Sequence, residues 1–460
     1  MENFWDYSVW GFVNLTASML ISLLAANLLK KSFRWLRVSL IPTSVLGGLL
    51  LLAVSLTYQA VTGNNFFNAN AFGGSGAATL EIVTYHCLAL GFIATTMKPD
   101  GGKLTRDRQV EIFNTGLTTV ATYLLQAVLG FGITIIAAKL IDGFFAAAGV
   151  LLPFGFGQGT GQALNYGGIY ENDFGFVGGK SFGLTVACMG FLSASLGGVI
   201  HLNVLRRKGR VVFTEEDVTH AINSEQVQGK DEIPMNGSID KMTVQIAIIF
   251  AVYYVAYLLI TLLAALLPGL KSVLYGFNFL LGVVVATGAK AGLNFLRKKK
   301  IVNKVYVNGF LMNRISGFCF DLMIVAGIGA IRLEFLQSTW YILLILGAAG
   351  MVATYAYVYF ICKRLFAEYA EEQFMGMYGM LTGTASTGII LLREIDPDFK
   401  TSVADNMVYQ NFPAMVFGFP IMLLATLAPV APMTTELILV VFFAVINILL
   451  FRRQIFKKKK

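Results

Sequence analysis

The sequence predicts an all-α polytopic membrane protein: two inverted-topology repeats of five transmembrane helices, each with a re-entrant hairpin, plus one extra C-terminal transmembrane helix. Three observations predict it. Apolar runs recur along the 460 residues, of which 56% are hydrophobic and only 13% charged, against about a quarter charged in a soluble domain. Lys/Arg clusters fall at alternate ends of those runs, as charge-directed topology requires. Two stretches crowded with Gly and small polar residues interrupt the runs at corresponding places: LLPFGFGQGTGQALNYGGIYE from residue 151, and MYGMLTGTASTGIILLREIDPD from residue 377.

Hydropathy sets the spans and Lys/Arg placement their direction. The first, about residues 9–29, ends at Lys30, Lys31, Arg34 and Arg37, so it runs outside to inside. The second, 41–61, returns to the uncharged stretch 64–76. The third, 82–97, ends inside at Lys98, Lys103, Arg106 and Arg108; the fourth, 111–136, goes out. After the first Gly-rich stretch, 182–205 runs inward to Arg206, Arg207, Lys208 and Arg210. A span starting outside after one that ended outside requires the segment between, about 151–171, to enter and leave by the outer face. The first repeat is thus 1–205, and the polar stretch 206–240 reads as a cytoplasmic linker.

The second repeat, 241–428, starts inside and is therefore inverted. Its spans are 242–267, 274–296 (ending at Arg297, Lys298, Lys299 and Lys300), 315–331, 339–362 (ending at Lys363 and Arg364) and 403–427, with a hairpin about 374–393 opening from the inside. Lys139, Lys180, Lys271 and Arg332 depart from the charge rule at outer ends. Residues 429–460 add an eleventh span, 437–450, and a basic cytoplasmic tail, Lys457–Lys460; its expected role is packing or anchoring. The N-terminus, MENFWDYSVW, lacks the basic region and cleavage site of a signal peptide, so the first apolar run is expected to be retained, with the N-terminus outside.

Composition excludes several classes. The formal charge of +9 is concentrated between apolar runs, where it serves topology and contact with the lipid bilayer rather than nucleic acid. Cys87, Cys188, Cys319 and Cys362 stand singly in apolar segments, indicating neither a disulfide framework nor a zinc site. No Walker loop, GxSxG or HExxH appears, so an enzyme is not expected.

The two Gly-rich stretches carry the candidate site. Gly155 aligns with Gly379, Gly159 with Gly383 and Thr160 with Thr384. Interrupted apolar segments at matching places in two halves are the sequence pointer to a transporter binding site. Gly frees backbone amides and carbonyls for a ligand, and the half-helix ends suit anions and cations. Gln158, Gly159, Thr160, Gly161, Gln162 and Asn165 on one tip, with Gly383, Thr384, Ser386 and Thr387 on the other, are the substrate-binding candidates. They suit a small carboxylate or amino acid together with Na⁺. The competing reading of the hydroxyls is interhelical hydrogen bonding.

Asp321, in the apolar run GFCFDLMIVAG, is costly in a membrane and so reads as a cation ligand, a proton carrier or an ion-pair partner. His86 holds nearly the equivalent place in the third span; a binding role and a packing role compete there. Asn406, Gln410 and Asn411 follow the second hairpin and complete the cation-coupling candidates, with a Na⁺ site expected near Thr160, Asp321 and Thr384. Arg332 and Arg393 read as carboxylate clamps or as anchors.

The chain resembles the glutamate:sodium symporter family (ESS) over nearly its whole length to about residue 428. The most specific parts are Gly157-Gln158-Gly159-Thr160-Gly161, the run ACMGFLSASLGGVI at 187–200, LALGFIATTM in the third span and YGMLTGTASTG in the second hairpin. The resemblance implies hairpins entering from opposite faces and Na⁺-coupled glutamate uptake by an elevator-like movement. It also implies a homodimer in the bacterial cytoplasmic membrane, with Na⁺ as coupling ion and no other cofactor. Three departures stand out: Gln158 where the family has His, Ser386 where it has Pro, and the eleventh span. The first two leave another dicarboxylate or amino acid open as substrate.

Overall fold

The structure, a computed structural model, describes residues 3–99, 105–209, 239–302, 304–397 and 399–455. Most of the expected linker 206–240 and the tail Lys457–Lys460 lie outside the described residues. Within them the chain is all-helical, with no β-strand. The helices are α1 (Tyr7–Ser32), α2 (Arg34–Val38), α3 (Thr43–Thr62), α4 (Gly76–Met97), α5 (Arg106–Leu140), α6 (Leu151–Phe174), α7 (Gly179–Arg207), α8 (Lys241–Leu266), α9 (Lys271–Gly276), α10 (Asn278–Lys298), α11 (Gly309–Gly329), α12 (Trp340–Leu365), α13 (Ala370–Thr382), α14 (Ala385–Arg393), α15 (Val403–Tyr409), α16 (Asn411–Leu427), α17 (Pro432–Leu450) and α18 (Arg452–Ile455).

Among the described residues, ten helices are long and apolar enough to cross a membrane; the pair α15 and α16, bent by 48°, makes eleven. The expected spans fall on these helices. Their ends differ where polar caps extend them past the apolar run. Thr105 caps α5 by accepting from the Arg108 amide at 3.4 Å, and Arg108 pairs with Glu111 one turn on. Asn308 Oδ1 accepts from the Leu311 amide at 2.7 Å and starts α11 one and a half turns before the apolar stretch begins.

The chain forms two units: Met1–Glu81, Leu104–Val212 and Ile324–Lys460 make the first, Ile82–Lys103 and Phe213–Met323 the second. Each draws on both halves of the sequence. In the second unit, Thr95 and Ser316 hydroxyls meet at 2.7 Å, and Gly91 leaves room for Phe320. Gln245 accepts from the Asn308 amide at 2.9 Å.

The first unit contains both Gly-rich stretches, and in each the helix breaks and the chain doubles back. In α6 the break is Gly159, at φ 75° and ψ −168°, a region of backbone space essentially confined to glycine. Phe154 and Tyr166, on either side of it, stack with centroids 4.0 Å apart. Between α13 and α14 the chain passes through Gly383 and Thr384 in non-helical conformations. The arms close so tightly that a Cβ on Gly379 would lie 2.7 Å from Gly388 Cα. Membrane helices gain no hydrophobic energy from one another in lipid, so close packing on small residues holds them. α17 and α18 pack in the same unit, with Tyr357 donating to Asn447 Oδ1 of α17 at 2.6 Å and Arg452 of α18 donating to Asn114 Oδ1 at 3.1 Å.

Candidate functional site

α5 is the post to which both breaks are fastened. The Tyr123 hydroxyl donates to Gly157 O at 2.9 Å, just before the Gly159 break. Gln126 Nε2 donates to Leu381 O at 2.9 Å, just before the Gly383 break, and to Thr354 Oγ1 on α12 at the same distance. Tyr123 and Gln126 are three residues apart and so share a helix face. α7 closes the other side: the place a Cβ would take on Gly190 lies 2.5 Å from Thr382 O and 3.1 Å from Phe156 Cα. The two breaks therefore lie side by side, brought together by contacts between distant parts of the sequence.

The residues of the first tip are almost wholly enclosed. Gly159, Thr160, Gly161, Gln162 and Asn165 are buried, and Gln158 is half-buried. Thr160 packs on α11, where a side chain on Gly327 would run into it. Gln162 is 1% exposed, and neither atom of its amide has a hydrogen-bond partner among the described residues. The second tip is more open: Gly383 and Thr387 are buried, Thr384 half-buried and Ser386 exposed. Thr384 and Thr387 hydroxyls approach to 3.4 Å.

Asn406, Gln410 and Asn411 lie beside the second broken helix. Gln410 Nε2 donates to Asn411 Oδ1 at 3.0 Å and faces Met380 Sδ at 3.6 Å. Asn406 Nδ2 donates to Glu111 at 3.0 Å. His86 and Asp321 belong to the second unit, and both are exposed; His86 Nδ1 meets the Tyr253 hydroxyl at 2.7 Å. Arg332 and Lys180 both pair with Glu81, each at 2.8 Å, and Arg393 lies over the Phe399 ring. Among the described residues no three His, Cys, Asp or Glu are grouped to hold a metal. Any ion here would rely on amide, hydroxyl and backbone oxygens, the donor set of hard cations.

Sequence reasoning missed the α5 residues. Thr115, Thr118, Thr119, Thr122 and Gln126 are all buried, and their spacing marks one polar stripe on an apolar span, a signal that was available. It also missed His201. That side chain, on α7, meets Glu371 through Nε2 at 2.9 Å and the Tyr355 hydroxyl through Nδ1 at 2.8 Å. The carboxylate only accepts, so Nε2 carries the hydrogen. Lys363 donates to the other Glu371 oxygen at 2.6 Å, and the group borders a cavity of 350 Å³ that Glu368 and Ile395 also line. Burial alone would raise the Glu371 carboxyl, but the Lys363 and His201 hydrogen bonds outweigh it and hold the group below its ordinary range.

No family model matches the chain, and no curated protein matches it in sequence.

Proposed function

We propose that the chain is a secondary active transporter coupling Na⁺ entry to uptake of a small carboxylate, with glutamate the substrate its resemblance to the glutamate:sodium symporter family implies. One observation carries this reading. The Gln162 amide is buried without a partner among the described residues, three residues past the break at Gly159. A buried polar group left unpaired costs about 1–3 kcal/mol, so a ligand that completes it is bound with a built-in gain. On this reading α6 is a re-entrant hairpin from the outer face and α13–α14 one from the inner face, the two halves being inverted repeats. Half-helix ends receive the anionic group, and freed carbonyls with the Thr160 and Thr384 hydroxyls receive Na⁺.

The resemblance adds elevator-type alternating access and a homodimer in the bacterial cytoplasmic membrane. The basic clusters add an outer N-terminus and an inner C-terminus. Gln158 and Ser386, standing where the family has His and Pro, favour a second substrate reading, another dicarboxylate or amino acid, coupled to Na⁺ or protons. The test is uptake in proteoliposomes under an imposed Na⁺ gradient, over a panel of labelled carboxylates and amino acids. One of them is expected to accumulate above equilibrium and to leak back when an ionophore collapses the gradient. Passive equilibration of every solute would instead identify a channel.

A further inference from the structure

We infer that the seam where α5, α13 and α15 meet binds a monovalent cation, at a place separate from the tips of the broken helices. The seam is tight: a Cβ on Gly376 of α13 would lie 2.8 Å from Val403 and 2.9 Å from Met407 of α15, and one on Gly116 of α5 would lie 3.1 Å from Gln410 O. Within it, the side-chain oxygens of Gln373, Asn406 and Gln410 have no hydrogen-bond partner among the described residues. Gln373 and Asn406 are 0% exposed and Gln410 is 2% exposed. Buried polar atoms are rarely left unpaired, and three acceptors in one seam call for an occupant.

The amide orientations are fixed by chemistry. Asn406 donates to Glu111 Oε1 at 3.0 Å, and Glu111, ion-paired with Arg108, only accepts. The Thr115 hydroxyl spends its single hydrogen on Glu111 O at 2.9 Å, so at 3.3 Å it accepts from Gln373 Nε2. Gln410 presents its nitrogen to the Met380 sulfur, which cannot donate. In all three residues the atom left over is therefore oxygen.

An occupant that meets only acceptors is a cation or a string of waters. Glu111 already has its charge balanced by Arg108 and takes a further hydrogen bond from Ser402 at 3.0 Å. The remaining ligands are neutral. Desolvation cost rises with the square of the charge, so neutral oxygens in a buried seam suit one positive charge rather than two. Carbonyl oxygens of Asn and Gln are established ligands of hard cations. An ion here would tie the first arm of the second broken helix to α5.

The test uses the full-length protein in detergent without substrate, with melting temperature followed as NaCl replaces choline chloride at constant ionic strength. Wild type is expected to be stabilised saturably by Na⁺. Gln373→Ala and Asn406→Ala are each expected to raise the half-saturating Na⁺ concentration by about tenfold. Gln373→Glu keeps an oxygen in place and adds a charge; it is expected to retain the Na⁺ response and to gain stabilisation by Ca²⁺, a result that misfolding does not produce. Equal melting in Na⁺ and choline means that water fills the seam and overturns the proposal, as does a wild-type titration unaltered in both alanine variants. A seam-dependent response in a protein that fails the uptake assay sinks the transporter reading and leaves the seam site standing.

Discussion

Phe154 and Tyr166 stack face to face, centroids 4.0 Å apart and planes 8° from parallel. In a continuous helix they would stand about 18 Å apart. The stack is thus a direct record of the reversal at Gly159, and both rings are fully buried. It fixes the separation of the two arms, and with it the place at which the broken backbone is presented.

That geometry makes the two break glycines unequal. Gly159 sits in a region of φ and ψ that other residues avoid at a cost of about 1–3 kcal/mol. Gly383, at φ −146° and ψ −107°, lies outside the left-handed region; a Cβ there meets the Thr387 hydroxyl at 2.9 Å and Phe191 at 3.1 Å, side chains able to shift, and the Gly379 carbonyl oxygen at 3.1 Å. Gly159→Ala is expected to lower the melting temperature and abolish substrate binding, while Gly383→Ala retains fold and part of the binding. Calorimetry on purified variants checks this, and equal losses would refute the asymmetry.

The α5 post gives a second expectation. Tyr123→Phe removes the bond to Gly157 O, and Gln126→Leu removes those to Leu381 O and Thr354. Each neutral bond contributes about 0.5–1.5 kcal/mol, so each variant should weaken substrate binding several-fold. Because the breaks lie side by side, the two effects should be non-additive. A double-mutant cycle measures that coupling, and strictly additive losses would show that the tips act independently.

Much of the fold was legible because single-segment signals carry it. Apolar length located the spans, and the Gly-rich composition located both breaks, Gly159 and Gly383. What the sequence hid were the partnerships across the chain. Nothing local says that Gln126 reaches Leu381, that Tyr123 holds Gly157, or that His201 meets Glu371. The ionisable residues that an apolar run makes conspicuous, His86 and Asp321, lie in the second unit, whereas the tip residues lie in the first. Gln162 was visible as a polar residue, but its lack of a partner is a property of packing alone.

Glu371 supplies a pH dependence. Its folded carboxyl titrates below the ordinary value of 4.5 because Lys363 and His201 stabilise the charged form. A depressed value means that the contribution to stability is fully present above pH 4.5 and is lost as pH falls through the folded value. Melting temperature in detergent should therefore drop below that pH in wild type. Glu371→Gln should start lower at neutral pH and show a smaller acid drop. If the two profiles stay parallel from neutral to acid pH, the cluster does not hold the arm.

The last expectation concerns access to the two tips. Ser386 is exposed at the second tip, whereas Thr160 at the first is fully buried against α11. Native Cys87, Cys188, Cys319 and Cys362 are all buried, so background labelling is low. In the conformation described, Ser386→Cys should react readily with a maleimide and Thr160→Cys slowly. If the tips form the binding site of an alternating-access transporter, Na⁺ with substrate should slow labelling at 386. Thr160→Cys should then become reactive, from the opposite face, only in the fraction of molecules that have switched. Labelling rates in right-side-out and inside-out vesicles, with and without Na⁺ and substrate, measure this. Equal rates at both positions from one face, unaffected by either solute, would mean that the breaks shape the fold and bind nothing that is carried across.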